Sequence, residues 1–316
     1  MYGYGMGVSP VNRLFSGGGA INPDFVMTID TGVTDTFNLR IGTTGAIPNT
    51  GTVYWGDGTS DLCSSFAGSG VTHTYPSSGV YDVTIEGQFQ GIRYVGAGDA
   101  SKLVDIKQWG YSLFETMAFV STTNLSITAT DIPNTTNITS FASSFASSGV
   151  TTIPNINQWD WSNITSCSKM FYFHLIDTLD LSGIDLSSCT NFGVGATTGM
   201  FRGAIDTNVN VSNWTLNSSS NITMAGMFRD TGTNKLTGIS TWNIEKVTTF
   251  TSFLQNAKLS TSEYDALLIA WDSQNPVDSL TPNFGTSQYT LGGSAAAARA
   301  NLISTDLWTI TDGGGI

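Results

Sequence analysis

The sequence predicts a mainly β protein built from a β-sandwich, a solenoid of stacked repeats and a small carboxyl-terminal cap. Short segments of alternating apolar residues begin at Phe25, as in half-buried strands. Phenylalanines then recur at intervals of 26, 26, 30, 27 and 25 residues. Such a period is typical of units that bury their apolar faces only by stacking on one another. The recurring residues are Phe119, Phe145, Phe171, Phe201, Phe228 and Phe253.

Residues 1–23 are predicted to be a glycine-rich tail. Its many glycines, including the run at 17–19, leave a backbone with too much conformational entropy to fold alone. The apolar side chains between the glycines can be buried against another protein, so we expect a docking peptide. A disordered leader is the alternative. The expected docking residues are Tyr2, Tyr4, Val11, Leu14 and Phe15.

Residues 24–95 are predicted to form the β-sandwich. Apolar residues alternate in the segments 25–29, 37–41 and 81–85, each of which fits a strand with one buried face. Turn signals such as Asp30-Thr-Gly separate these segments. Several short strands separated by turns in this way favour two packed antiparallel sheets.

Two segments of the predicted sandwich carry a family resemblance. The segment Val53-Tyr-Trp-Gly-Asp-Gly-Thr59, with the later His73-Thr-Tyr and Tyr81-Asp-Val, resembles the polycystic-kidney-disease (PKD) type of immunoglobulin-like domain. The resemblance implies a structural signature of Trp55, Asp57, Tyr75 and Tyr81. We expect Trp55 to enter the core, and Asp57 to bond the backbone of a tight turn between two glycines.

Residues 96–258 are predicted to form the solenoid. Its clearest copies run from Trp159 to Phe171, from Trp214 to Phe228 and from Trp242 to Phe253. These copies resemble the BspA-like leucine-rich-repeat family, in which Trp is followed by polar residues, then Ile or Val-Thr, and then Met-Phe. The resemblance implies that the recurring phenylalanines are core residues and that binding takes place on the polar surface around them.

Residues 259–316 are predicted to cap the solenoid. Ser260 and Glu263 match a capping box at the start of a helix, and Tyr264, Leu267, Leu268 and Trp271 fall on one face of it. A second helix is expected at 295–303 and a final strand at 307–311. This ending resembles those of repeat domains in bacterial surface proteins and phage fibres.

Charge and composition exclude several classes of function. The net charge is −12 and only 12 residues are Lys or Arg, which argues against binding to nucleic acid. No stretch reaches the roughly 18 apolar residues that a membrane span needs. A polar surface with few charges suits glycans, although solubility alone explains it as well. The first residues lack the charged and apolar regions of a signal peptide, so we expect synthesis in a bacterial cytoplasm without secretion.

Catalytic and metal chemistry finds little support in the sequence. His73 and His174 are its only histidines, and neither lies in a pattern that predicts a catalytic group. The four acidic residues Asp177, Asp180, Asp185 and Asp206 are expected to form turns rather than a glycosidase pair. Calcium stays open as a weak candidate ligand, and no cofactor is expected. Cys63, Cys167 and Cys189 are expected to be free thiols, with a Cys167–Cys189 bridge left open.

These observations favour a non-enzymatic surface protein on the virion of a tailed bacteriophage. Its tail would dock on other virion proteins, and its solenoid would attach to a glycan or protein on the host surface. Self-association into a homo-oligomer stays open. The alternatives are a purely structural decoration protein of the capsid, neck or tail, and a bacterial cell-surface adhesin; an enzyme ranks below both.

Overall fold

The computed structural model describes residues 24–66, 70–96, 99–174, 176–205 and 207–316. The predicted docking residues of the tail lie outside these ranges. The described chain is mainly β, with a β-solenoid and two α-helices, as the sequence predicts. A single cluster of buried apolar side chains extends from Phe25 to Trp308.

The amino-terminal part consists of short, mostly antiparallel strands. The predicted alternation of buried and more exposed residues is confirmed in β2 and β6, whereas in β1 it is interrupted by Thr28, which is buried as well. Strand β1 is central, with β6 on one side and β8 on the other. Strands β2 and β5 form a separate pair. The strands are β1 (Phe25–Asp30), β2 (Thr36–Leu39), β3 (Thr52–Tyr54), β4 (Ser60–Leu62), β5 (Val71–Thr74), β6 (Val80–Glu86), β7 (Arg93–Val95) and β8 (Leu103–Gln108).

The solenoid strands are two to four residues long and pair in parallel between successive turns. The short 3-10 turns are Cys63–Ser65, Ala100–Lys102, Ile156–Gln158 and Ile239–Thr241. The strands are β9 (Ala118–Val120), β10 (Ser126–Ile127), β11 (Thr178–Asp180), β12 (Asp185–Leu186), β13 (Asn191–Val194), β14 (Asn208–Asn210), β15 (Thr215–Leu216), β16 (Ile222–Ala225), β17 (Gly232–Thr233), β18 (Leu236–Thr237), β19 (Val247–Thr249) and β20 (Ala257–Lys258).

The solenoid begins on the last strands of the amino-terminal part. Strand β8 pairs antiparallel with β1 on one edge and parallel with β10 on the other. Strand β7 pairs parallel with β9, which places Tyr94 directly beside Phe119. The first turn of the solenoid therefore stacks on residues that precede the first recurring phenylalanine. One sheet runs through both parts of the chain.

The recurring phenylalanines stack along the solenoid. The ring centroids of Phe119 and Phe145 are 5.6 Å apart, and those of Phe145 and Phe171 are 5.9 Å apart. The next two pairs, Phe171 with Phe201 and Phe201 with Phe228, are separated by 5.4 Å and 5.1 Å. The planes of these four pairs differ by 6° to 24°, and all five side chains are fully buried. The rings form one continuous column in the core.

Main-chain hydrogen bonds show that the sixth position of the column is Leu254, not Phe253. The amide of each column residue donates to the carbonyl of the residue before the next one, as Phe201 does to Met227 at 2.9 Å. The Phe228 amide donates to the Phe253 carbonyl, and the Leu254 amide donates to the carbonyl of Asn283. Phe253 therefore stands where three of the other turns have Met, and its ring meets that of Phe228 at 82°.

A corner with left-handed backbone follows each column residue by two positions. Positive φ angles are favourable for Gly and tolerable for Asn, Asp and small residues, but unfavourable for bulky side chains. Five of the six corner residues meet this requirement, and the exception is a phenylalanine. The corner residues and their φ angles are Ser121 (60°), Ser147 (54°), Phe173 (48°), Gly203 (73°), Asp230 (62°) and Asn256 (61°).

Two of the tryptophans link successive turns by polar contacts as well as by packing. The indole N–H groups of Trp214 and Trp242 donate to the carbonyls of Leu181 and Val211, each at 2.7 Å. Both acceptors lie one turn earlier in the chain. The Trp214 and Trp242 rings stack with centroids 5.0 Å apart. Each of these indoles is thus buried with its donor satisfied, which removes the cost of desolvating an unpaired polar group.

The carboxyl-terminal helices are α1 (Thr261–Asp272) and α2 (Ser294–Ser304). The predicted apolar face of α1 is buried, and Ser260 accepts a hydrogen bond from the Glu263 amide as expected. The predicted return bond of the capping box is wrong. The Glu263 carboxylate instead accepts from the amides of Gly238 and Ile239, at 2.9 Å and 3.0 Å. These amides begin a short 3-10 turn of the preceding repeat, and the carboxylate satisfies both.

The predicted final strand at 307–311 is also wrong, because this segment forms only an isolated bridge between Thr311 and Asn283. Leu307 has a φ of 58°, which is incompatible with an extended strand. The segment is fixed by separate contacts, including a hydrogen bond of 2.9 Å from the Trp308 indole to the Val277 carbonyl. The stacking of turns continues through Phe284, whose amide donates to the Thr311 carbonyl.

Replacing a central ring of the column is expected to be severely destabilising. Phe201 is fully buried between two stacked rings, so Phe201→Ala should lower the free energy of unfolding by about 3–5 kcal/mol. Phe201→Leu introduces the side chain that the column already accommodates at Leu254, and should cost less than half as much. Urea denaturation of the two variants measures both values. Equal losses would contradict a column that tolerates any apolar side chain of sufficient volume.

The buried His174 predicts a loss of stability in acid. Its side chain is 1% exposed and its Nδ1 accepts from the Ile176 amide at 3.0 Å. Burial lowers the pKa of His174 from 6.5 to about 3, so the unfolded chain takes up the proton first. The stabilisation that the neutral His174 side chain provides is fully present above pH 6.5. The free energy of unfolding should therefore fall as the pH drops from 6.5 towards 3.

The matched variant for this acid effect is His174→Thr. Thr122 and Thr231 lie three residues after their column phenylalanines, as His174 does, and each donates to the carbonyl of that phenylalanine. A threonine at 174 can therefore make the same bond. Denaturation series at several pH values should show a smaller decline between pH 6.5 and 3 for the variant; parallel curves would rule out His174 as the source.

Candidate functional site

Most of the predicted signature residues lie in the core and are not available to a ligand. Trp55, Tyr75 and the column phenylalanines are buried, and Tyr81 stacks on Tyr75 with centroids 4.0 Å apart. Phe253 is buried as well, one position out of the column. A binding surface must therefore be built from exposed and half-buried residues between the column positions. The clearest such group lies around the corner at Phe173.

We define the aromatic–basic patch as Lys169, Tyr172, Phe173, Arg202 and Arg229. The Phe173 side chain is among the exposed large apolar groups, with 45% of its surface accessible. The Tyr172 and Phe173 rings meet edge to face with centroids 4.4 Å apart. The Arg202 guanidinium lies 5.3 Å from the Tyr172 ring centre and 5.4 Å from that of Phe173. These distances are within the range of cation–π attraction.

The turn stacking places these residues side by side although they come from three repeats. Tyr172, Arg202 and Arg229 each follow their column phenylalanine directly, so the main-chain hydrogen bonds of the column residues align them across successive turns. Neighbouring parallel strands are roughly 4.8 Å apart, which sets the spacing of the three side chains along the solenoid. An Arg202 Nη1 hydrogen bond of 2.7 Å to the Tyr172 hydroxyl fixes the first two relative to each other.

Phe173 holds an exposed ring on a strained backbone. Its φ of 48° belongs to the left-handed region, which costs a bulky L-residue roughly 1–2 kcal/mol. Its ring lies across Gly203, where an added Cβ would come within 2.3 Å of the ring. Only a glycine at 203 leaves room for this arrangement. A strained residue whose ring remains half exposed is a candidate for function rather than stability.

Positive charge is concentrated in the patch of an otherwise acidic protein. Arg202 and Arg229 share the single carboxylate of Asp230, with Nε–Oδ2 distances of 3.5 Å and 3.3 Å. Asn256 donates to the other oxygen of this carboxylate at 2.8 Å. Lys169 makes no ion pair among the described residues, and its Nζ lies 5.5 Å from the Tyr172 ring centre. The patch thus combines three cations with one carboxylate.

An open groove of about 280 Å³ is a weaker candidate for a binding site. It lies between the segment 152–157 and strand β11. Its carboxylate, Asp180, already accepts from the Ser182 amide at 3.0 Å and from the Asn210 side chain at 3.1 Å. Asp180 is the single charged side chain that lines the groove, and one of its oxygens is already used within the protein. Asp180 forms the type of turn that the sequence predicts, and so does Asp185 with the Ser187 amide.

Asp57, Thr59 and His73 bring a carboxylate, a hydroxyl and an imidazole together in the amino-terminal part. His73 Nε2 lies 2.8 Å from an Asp57 oxygen and 3.4 Å from the Thr59 hydroxyl, which itself donates to Asp57 at 2.6 Å. A catalytic triad needs the carboxylate and the hydroxyl on opposite ring nitrogens, whereas both groups here face Nε2. His73 also stacks on Trp55 at 4.6 Å. The contacts among Asp57, Thr59 and His73 stabilise the turn between β3 and β4.

Electrostatics at this turn agree with a structural role. Desolvation raises the pKa of Asp57, but hydrogen bonds from Thr59 and His73 outweigh it and lower the pKa to about 2. The carboxylate is therefore ionised at neutral pH and acts as an acceptor. The Thr59 amide also donates to it at 2.9 Å, which closes the turn between β3 and β4.

The remaining candidate groups form no metal or catalytic centre in the described part of the chain. No group of three or more His, Cys, Asp or Glu side chains there is arranged to hold a metal ion. Cys167 and Cys189 are buried free thiols on neighbouring turns, with sulfur atoms 3.9 Å apart. Burial raises the pKa of the Cys167 thiol, which makes it a poor nucleophile. Asp206 lies outside the described residues.

Sequence reasoning missed the patch, although a signal for it is present. Aligning the repeats on their column residue gives Met-Phe-Tyr-Phe at 170–173, Met-Phe-Arg-Gly at 200–203 and Met-Phe-Arg-Asp at 227–230. The position after the column residue is thus Tyr, Arg and Arg, and the corner position is Phe where other repeats have small or polar residues. The alignment shows the anomaly, but only the stacking shows that the three positions are neighbours.

Replacing Phe173 should not destabilise the protein. Asn adopts positive φ at lower cost than Phe, so Phe173→Asn relieves strain while it removes packing of the ring on Gly203. We expect a free energy of unfolding within about 1 kcal/mol of the wild-type value. Val194→Asn is the control, because Val194 is also an exposed apolar residue. A loss of several kcal/mol in Phe173→Asn alone would mean that the ring serves stability.

Neither α1 nor α2, the helices of the described chain, has the length and apolarity that a membrane span requires.

Comparison with known proteins identifies a family. A search of curated proteins and a search of solved structures each find no match. A family model matches residues 93–193 and again residues 177–289, two partly overlapping segments that together span the solenoid and more than half of the chain. The stacked-repeat fold also fits the BspA-like resemblance of the repeats. The chain therefore belongs to the family described as Mycoplasma protein of unknown function, DUF285.

Proposed function

We propose that the protein is a non-enzymatic recognition protein that attaches to a host surface through the aromatic–basic patch of its solenoid. We further propose that it is carried on the surface of a tailed-phage virion, with residues 1–23 docked on other virion proteins. The single observation that carries the proposal of recognition is the exposed Phe173 ring on a strained backbone beside three cations. The virion setting is supported by the external type of composition and by the resemblance of the chain ending to phage fibres.

The solenoid gives this patch a rigid support. Each patch residue lies one or two positions from a buried column ring, and its main chain makes a hydrogen bond to one neighbouring turn. Phe173, for example, donates from its amide to the Arg202 carbonyl at 3.0 Å. Little side-chain and backbone entropy is then lost on binding, which favours affinity. Presentation of many copies on one particle would multiply weak contacts into strong attachment.

The amino-terminal strands are proposed to act as an immunoglobulin-like spacer of the PKD type. The packing of Trp55 on His73 and of His73 on Tyr75 supports this interpretation, because these residues carry the sequence resemblance. Strand β8 belongs both to the central sheet of this part and to the first solenoid turn. A spacer joined to the solenoid by a shared sheet would hold the patch at a constant distance from its point of attachment.

A bacterial cell-surface adhesin is the second candidate, and one observation favours it. The matching family is described by its Mycoplasma proteins, which are bacterial, and the BspA-like resemblance of the repeats adds the surface location. The patch would serve an adhesin in the same way. A purely structural decoration protein is the third candidate. It needs neither an exposed strained ring nor a cluster of cations, and it predicts no binding to cells.

Attachment is tested by binding of the purified full-length protein to a panel of bacterial cells. We expect saturable binding to host cells and at least a tenfold loss of affinity for Phe173→Asn, equivalent to about 1.4 kcal/mol. Val33→Asn is the matched control, because Val33 is 96% exposed and distant in sequence from the patch. Flow cytometry with labelled protein measures the affinities. Absence of binding to every strain would favour the decoration protein, and equal binding by both variants would place recognition elsewhere.

A further inference from the structure

We infer that the aromatic–basic patch recognises an acidic polysaccharide, a linear chain of sugars that carry repeated carboxylates. This inference rests on the proposed function, because it names the ligand of the same surface. It goes beyond the sequence, whose polar and sparsely charged composition suggests neutral polar partners. Three features of the patch carry it: the number of unsatisfied cationic donors, their spacing along the solenoid and the exposed aromatic face beside them.

The cationic donors outnumber the acceptors around them. Arg202 uses Nη1 on the Tyr172 hydroxyl, and Arg229 uses Nη1 in a weak contact of 3.4 Å with the Ala196 carbonyl. No protein acceptor within the described ranges takes Nη2 of either arginine or Nζ of Lys169. Asp230 is the carboxylate shared by the two arginines. An anionic ligand would supply the missing acceptors, and charge-assisted bonds of this kind are about twice as strong as neutral ones.

The spacing of these donors fits a polymer rather than a single small anion. Lys169, Arg202 and Arg229 belong to three successive turns, so they are distributed along the solenoid axis at steps of roughly 4.8 Å. One isolated carboxylate could be held by two of them at most. A chain that runs along the axis can present carboxylates to all three. This geometry favours a polysaccharide with a charge on successive or alternate sugars.

The aromatic rings favour a sugar over other polyanions. Phe173 exposes nearly half of its side chain, and Tyr172 is held edge to face against it. An exposed phenyl face gains hydrophobic and dispersion energy from the C–H face of a pyranose ring. Nucleic acid also stacks on aromatic rings, but its dense phosphates would be repelled by a chain of net charge −12. A polysaccharide with one carboxylate per sugar or less suffers smaller repulsion.

The test uses the purified full-length protein and two forms of one polymer. Polygalacturonate carries a carboxylate on every sugar, and its carboxyl-reduced form has the same backbone without the charge. Biolayer interferometry with each immobilised polymer should show binding to polygalacturonate and at least tenfold weaker binding to the reduced form. Phe173→Asn should lower affinity for polygalacturonate about tenfold, because it removes the stacking face.

Charge variants locate the carboxylate contacts. Lys169→Gln and Arg229→Gln should each weaken binding to polygalacturonate three- to tenfold, whereas Lys246→Gln, an exposed lysine outside the patch, should leave it unchanged. Thermal melts confirm that each variant is folded.

The outcomes separate this inference from the proposed function. Equal binding of the native and reduced polymers, or binding of neither, overturns the acidic ligand. If Phe173→Asn still abolishes attachment to cells in that case, recognition by the patch stands and its ligand is different. Binding to polygalacturonate that no patch variant weakens would also overturn the inference, because the site would lie elsewhere. Equal losses in Lys246→Gln and Arg229→Gln would reveal a non-specific effect of charge.

Discussion

The register of main-chain hydrogen bonds between successive turns is the constraint on which the rest of the structure depends. Each column residue donates its amide to the residue that precedes its counterpart in the next turn. This alignment brings Phe145, Phe171, Phe201 and Phe228 over one another with nearly parallel rings. Because no single turn buries its own apolar face, neither the rings nor the strands are stable without their neighbours.

The same register creates the candidate site. Residues that directly follow the column occupy one row on the surface, and residues two positions later occupy the left-handed corners. Most corners carry residues that tolerate positive φ, as at Asn256 and Gly203. The Phe173 corner departs from this rule, and Gly203 in the next turn leaves the space its ring needs. Two adjacent corners thus act as a pair, one strained and one permissive, to hold an aromatic ring at the surface.

Fold and site differ in how far the sequence predicts them. The alternation around Phe37 and Leu39 and the apolar face of α1 are local patterns, and the structure confirms them. The hydrogen-bond donors to the Glu263 carboxylate could not be predicted from the sequence. They are two amides 24 and 25 residues earlier in the chain, which the stacking of turns brings close. The prediction of a strand at 307–311 was wrong for a related reason, since contacts of Trp308 with the preceding turn replace regular strand pairing.

The sequence by itself determined the mainly β class, the solenoid and the burial of its recurring phenylalanines, because periodicity and hydrophobicity are properties of neighbouring residues. Only the tertiary structure decided that Leu254 and not Phe253 completes the column, since the spacing of phenylalanines does not state which amide meets which carbonyl. It also decided that Tyr172, Arg202 and Arg229 form one surface. These residues are about a turn apart in the chain, and hydrogen bonds between turns are what make them neighbours.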